Sequence, residues 1–246
     1  QSVQPPYEVE LPVERVDENS LFERAEQLTS AGFDVTSEVP LRVVLFSLGA
    51  REHVLFLVVH HIASDGFSLR PLARDIMVAY ANRSRGEAPN WAPLEVQYAD
   101  FALWQREVLG SEDDPESTAA EQLGYWRIAL ADLPDQLDLP LDRPRPAQQS
   151  FRGDRVEFTI GADLHRELRD LARNRNATVF MAVHAAFAAL LARLSGSTDI
   201  AVGTPIAGRT EQATEDIIGM FVNTLVLRLE VDGGASFDEL LSAARE

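Results

Sequence analysis

The chain has 246 residues, of which 22 are basic (every one Arg) and 39 acidic, for a formal charge of -17. So acidic a surface is a poor match to a nucleic-acid backbone or an anionic membrane, both of which need a positive field. With no Cys, disulfides, a thiolate nucleophile and thiolate-bound metal are excluded. At 46% hydrophobic the composition is globular, and the length suits one large domain or two small ones. The Cys-free composition fits a reducing compartment, so a cytoplasmic location is expected. Gln1 to Pro6 has neither a charged n-region nor an apolar run and does not read as a signal peptide.

In chain order, Ser20-Leu21-Phe22-Glu23 has capping-box spacing and predicts a helix that starts there and stops near Gly32. Leu41 to Ser47 and Val54 to Val59 are dense in Val, Leu and Phe, and Gly49 to Glu52 separates them. They read as a hairpin of strands buried on both faces. Ser68 to Ala81 reads as a helix, with Pro71 tolerated in its first turn. Gln97 to Leu109 places Tyr98, Phe101, Trp104 and Leu109 on roughly one helical face, a core stripe.

Residues 111–117 form an acidic linker, and Thr118 to Glu121 offers a second capping box for a helix through Tyr125, Trp126 and Leu130. Pro134 to Pro146 holds four of the 13 prolines and must be irregular. The alternation in Phe151 to Ile160 predicts a strand, and Asp163 to Arg173 an amphipathic helix. Thr178 caps a buried helix, Val179 to Leu194, which is too short and too polar for a membrane span. Short strands follow at Ile200 to Val202 and Leu225 to Val231, then a helix from Phe237 to Glu246. The whole is a mixed α/β chain without regular βαβ spacing. No phosphate-binding glycine loop, HExxH or GxSxG is present.

The chemistry concentrates in His60-His61-Ile62-Ala63-Ser64-Asp65-Gly66-Phe67-Ser68, where a strand ends and a helix begins. Neighbouring strand residues point to opposite faces, so one His works in a cavity and the other supports it. Asp65 can bond within the turn or pair with an Arg, and Gly66 allows close backbone approach or positive φ. A packed strand end with an ordinary Asp-Gly turn explains the same residues without function. A metal reading is weaker, since His61 and Asp65 are two ligands and a catalytic zinc usually takes three.

This segment resembles the HHxxxDG signature of condensation domains of nonribosomal peptide synthetases. Tyr98 to Trp104 is similar to the family's YxDYAxW segment, Gly203 to Arg209 to its GxPxAGR loop, and Ile218 to Leu225 to its IGxFVNT segment. The motifs stand in the family's order and span essentially the whole chain. The resemblance implies a chloramphenicol-acetyltransferase-like two-lobe fold, present in part. Residues 1–110 would be the C-terminal part of the N-lobe, 111–117 a linker, and 118–246 the N-terminal part of the C-lobe. The family's SxAQxRLW and RHExLRTxF motifs would precede Gln1, and its HQDxPFE and RDxSRNPL motifs would follow Glu246.

The resemblance further implies amide formation between a donor acyl or peptidyl thioester and the α-amine of an acceptor aminoacyl thioester. Both substrates would arrive on phosphopantetheine arms of peptidyl carrier proteins, beside an adenylation domain in a larger chain. No cofactor or metal is implied in the domain itself. His61 is assigned to the attacking amine, as base or positioning acceptor, with the Gly66 N–H facing the reacting centre. His60 and Asp65 are assigned to support, with Arg209 as the partner of Asp65. Ser68, Tyr98 and Asn223 are assigned to the substrate passage. Arg70 and Arg74, or the cluster Arg143, Arg145, Arg152 and Arg155, could meet a phosphate or an acidic carrier surface; solvated local ion pairs explain them as well.

Three further readings share the motif or the fold. They are an acyltransferase acting on a hydroxyl, an epimerisation domain, and a non-catalytic carrier-binding module or inactive fragment. Heterocyclisation domains replace the His pair with Asp and are disfavoured. Ala63-Ser64 before Asp65, with the IGxFVNTL form, leans toward an L-donor type.

Overall fold

The structure is a computed structural model and describes residues 9–150 and 152–245. The readings on Gln1 to Pro6, Phe151 and Glu246 lie outside the described residues. Two compact units are seen. One comprises residues 1–120 and 206–223, the other 121–205 and 224–246. No single helix among the described residues is long and apolar enough to cross a membrane.

In the first unit, β1 (Val13–Arg15) pairs in parallel with β2 (Leu41–Ser47), and β2 pairs antiparallel with β3 (His53–Val59). The sheet is therefore mixed, in the order β1-β2-β3. The expected hairpin is present, in the register Leu41 to Val59 through Ser47 to His53. Burial differs from expectation. In β2 only Val44 and Phe46, two residues apart on one face, are fully enclosed. The near-continuous apolar run does not mean two covered faces here.

α1 (Glu18–Ser30) starts three residues before the box read from sequence. Its N-cap is Asp17, whose carboxylate accepts from the Ser20 N–H at 2.8 Å while Ser20 Oγ bonds back to Asp17 N. Ser20 is thus the third helical residue, and Glu23 plays no capping part. Asp17 and Ser20 have the same spacing as Ser20 and Glu23, so periodicity alone could not choose between them. A 3-10 turn (Gly66–Ser68) leads into α2 (Leu69–Arg83), and α3 spans Tyr98–Leu109 with Gln97 as N-cap. Phe101, Ile217 and Phe221 are buried together, with Val96 and Tyr98 packed against them.

α4 (Thr118–Ala129) is capped by Ser117, whose Oγ accepts from the Ala120 N–H. Residues 152–160 form no strand, in contrast to the reading of their alternation. Val156 is 88% and Phe158 83% exposed. A strand exists only through a partner ladder, and among the described residues none lies beside this segment.

In the second unit, α5 (Ala162–Asn174) and α6 (Val179–Ser195) are joined by a short turn, with Thr178 capping α6 through the Met181 N–H. β4 (Asp199–Ile206) neighbours β5 (Asn223–Glu230), and α7 (Phe237–Ala243) is capped by Ser236. Ala185, Ala188, Ile200, Leu229, Val231 and Leu240 form the largest buried cluster.

Candidate active site around His61

β3 stops at Val59, so both His residues lie just beyond the strand and the alternation argument does not reach them. Hydrogen bonds separate their roles instead. The His60 N–H donates to Pro40 O and its carbonyl accepts from the Ala63 N–H, closing a turn. Its Nδ1 accepts from the Ile62 N–H at 3.1 Å, and Phe33 meets the ring edge-on at 5.8 Å. His60 is half-buried and fixed, whereas His61 is exposed.

The turn is held from beneath by Asp65, which is 3% exposed. Its Oδ1 accepts from the Ser68 N–H at 2.9 Å, capping the 3-10 turn, and lies 3.0 Å from Arg209 Nη2. Its Oδ2 accepts from the Phe221 N–H at 3.1 Å. Burial works against the charged carboxylate, but bonds from the Ser68 hydroxyl, the Phe221 N–H, Arg209 and the Ser68 N–H outweigh it. The pKa is held below the usual carboxylate value of 3.8. Arg209 is itself buried. Its Nη1 donates to Thr214 O and Ile217 O, and its guanidinium sits 4.1 Å over the Phe221 ring.

Ser68, expected in the substrate passage, is instead fully enclosed. Its Oγ lies 2.9 Å from both Gly219 O and Arg209 Nη2, 2.8 Å from Asp65 Oδ1 and 3.1 Å from Gly219 N. One hydroxyl has one proton and two lone pairs, so this oxygen is saturated. It ties residues 65–68 to the 218–221 loop and leaves nothing to offer a substrate.

Tyr98 is half-buried. Its hydroxyl donates to Met220 O at 2.6 Å, and burial followed by the nearby Asp65 charge pushes its pKa up. Asn223 is exposed at the start of β5.

Two glycines are required by this packing, and neither was singled out from sequence. Gly208 has φ +64, and a Cβ there would lie 1.9 Å from Phe221 O. A Cβ on Gly219 would lie 2.3 Å from the Tyr98 ring. Their presence inside two quoted motifs was the available signal. Gly66 needs no positive φ; a Cβ there would meet open space, and its N–H begins the turn, where helix starts leave donors without an intrahelical partner. Arg74 is engaged by Asp75 and Asp216, the local ion pairing that competes with a phosphate role. Among the described residues no group of three or more His, Asp or Glu could hold a metal ion.

The model of the condensation domain matches residues 2–246. The chain belongs to the condensation-domain family. It is 51% identical over 97% of its length to a probable non-canonical nonribosomal peptide synthetase, CymA, of Salinispora arenicola, spanning 3% of that protein. It is 49% identical over 96% of its length to a dimodular nonribosomal peptide synthase of Bacillus subtilis, spanning 10% of it. Among solved structures, it matches the X-domain in the complex of X-domain and OxyB from teicoplanin biosynthesis. That match has a TM-score of 0.92 and 33% identity, and covers 97% of this chain and 52% of the other. The chain thus spans a small part of the synthetases and about half the length of that solved chain. The fold of this condensation-domain segment is chloramphenicol-acetyltransferase-like, with mixed helix and sheet.

Proposed function

We propose that this segment supplies the catalytic turn for amide formation between two carrier-tethered thioesters. The acceptor amine attacks the donor thioester carbonyl. The C–N bond forms, the C–S bond breaks, and the amine's proton is accepted at His61 and given to the departing thiolate. The observation that carries the reading is the contrast within the turn: His61 is open to solvent on a base immobilised by Asp65, Ser68 and Arg209. Holding both substrates in attack geometry is worth about 7–11 kcal/mol, against about 3–5 kcal/mol for a general base. Rigid presentation of His61 is therefore the larger contribution of this turn. Gly66, beside it, leaves room for the reacting centre near its N–H.

The partners in this reading are donor and acceptor peptidyl carrier proteins with their phosphopantetheine arms, next to an adenylation domain in a cytoplasmic synthetase. The synthetase relatives support it. The test is His61→Ala in the parent polypeptide carrying the complete domain, read by mass spectrometry of the amide product with circular dichroism as a fold control. A loss of about 10²-fold or more is expected with the fold intact. Wild-type turnover removes His61 from the mechanism.

A second reading is a protein-recruiting module, supported by the likeness to an X-domain solved in complex with OxyB. In that case His61→Ala leaves partner binding unchanged and there is no amide product to lose.

A further inference from the structure

α6 carries two apolar faces. Ala182, Ala185 and Ala188 are fully buried on one of them. They pack among Ile200, Leu229 and Leu240 and, nearer the start of the helix, against Ala172 and Leu241. Phe180, Val183, Phe187, Leu190 and Leu194 follow alternating spacings of three and four residues on the opposite side, and each is 45–57% exposed. A helix apolar all round belongs in an interior. Scattered apolar residues on a surface need no explanation, but a continuous seam along a 17-residue helix, about 25 Å long, does.

A second observation points the same way. His184 lies one turn from Phe180 with its ring stacked on the Phe ring at 6.4 Å. It is only 9% exposed, and its Nε2 has no hydrogen-bond partner among the described residues. Buried polar atoms are ordinarily satisfied.

We propose that this face of α6 is the docking surface for the stretch of the same domain that continues beyond residue 246. The solved chain it matches is about twice as long, so a comparable length of fold lies outside these residues. The chain leaves the second unit from α7, whose Leu241 packs on Ala182 of α6, while the first described residues belong to the other unit. The following segment is therefore tethered beside the helix. A second copy is a poor occupant, because each carries a charge of -17. The occupant brings an apolar face and one hydrogen-bonding group within reach of His184 Nε2. The inference stands apart from the role given to His61.

The absence of Cys from these residues makes thiol labelling a direct test. Phe187→Cys reports the seam, Glu167→Cys an exposed site on α5, and Ala185→Cys the covered face of α6. Each is made in this chain and in the parent polypeptide carrying the complete domain. Maleimide labelling under native conditions is followed by peptide mass spectrometry. In the short chain, Phe187→Cys labels as fast as Glu167→Cys. In the complete domain it labels about 100-fold more slowly, close to Ala185→Cys. Equal rates at positions 187 and 167 in the complete domain overturn the proposal. Concentration-dependent protection of position 187 in the short chain, with a dimer in size-exclusion chromatography, assigns the face to a second copy and also overturns it. Leu190→Cys replaces Phe187→Cys if the latter fails to fold.

Discussion

Removing the Asp65 carboxylate tests the base of the catalytic turn most directly. In Asp65→Ala the Phe221 N–H loses its 3.1 Å acceptor and the Ser68 N–H its 2.9 Å acceptor. Arg209 keeps Ser68 Oγ, Thr214 O and Ile217 O, but its charge is left without a counterion in a buried site. Each unsatisfied donor costs about 1–3 kcal/mol, and leaving a buried charge unpaired about 3–5 kcal/mol. The two counts overlap, so the net loss is set at about 3–5 kcal/mol. At roughly 2–4 °C per kcal/mol, that lowers the melting temperature by about 6–20 °C.

Urea unfolding at pH 7, followed by circular dichroism, measures the loss for Asp65→Ala, Arg209→Met and the double variant. The double variant should be less destabilised than the sum of the singles by about 2 kcal/mol, because the second change removes the orphaned charge. A loss under about 1 kcal/mol for Asp65→Ala, or strict additivity, would refute the ion-paired base.

The same carboxylate has a pH signature. Its folded pKa lies below 3.8, so the unfolded chain binds the proton more readily. The stabilisation is complete above about 3.8 and is lost as pH falls through the folded value. The gap in urea midpoint between wild type and Asp65→Ala should shrink from pH 6 toward pH 3, and a constant gap contradicts this. Gly208→Ala combines a left-handed φ with a Cβ 1.9 Å from Phe221 O. It should cost at least about 2 kcal/mol and displace the 218–221 loop, read as raised amide exchange at Phe221. Native-like exchange there would show that the loop can give way.

The elements of this chain were largely legible from residues close in sequence. The β2–β3 hairpin, α2, α3, α5 and the Thr178 cap of α6 follow from hydrophobic spacing and capping side chains that act over three or four residues. The same signals were ambiguous where two overlapped, as at Asp17, Ser20 and Glu23, and misleading at residues 152–160, where alternation without a partner makes no strand. The two-residue spacing of Val44 and Phe46 was visible, but which face would be covered was not.

The sequence by itself determined the family, through four motifs in order, and placed the chemistry at His60 to Ser68. Only the tertiary structure decided what each residue there does. Asp65 and Arg209 are 144 positions apart, and Ser68 and Gly219 are 151 apart. No periodicity reaches across such distances. The return of residues 206–223 to the first unit brings them together. Once there, packing rather than pattern makes Ser68 a buried tie, requires Gly208 and Gly219 to lack a Cβ, and leaves His61 as the side chain of the pair facing solvent.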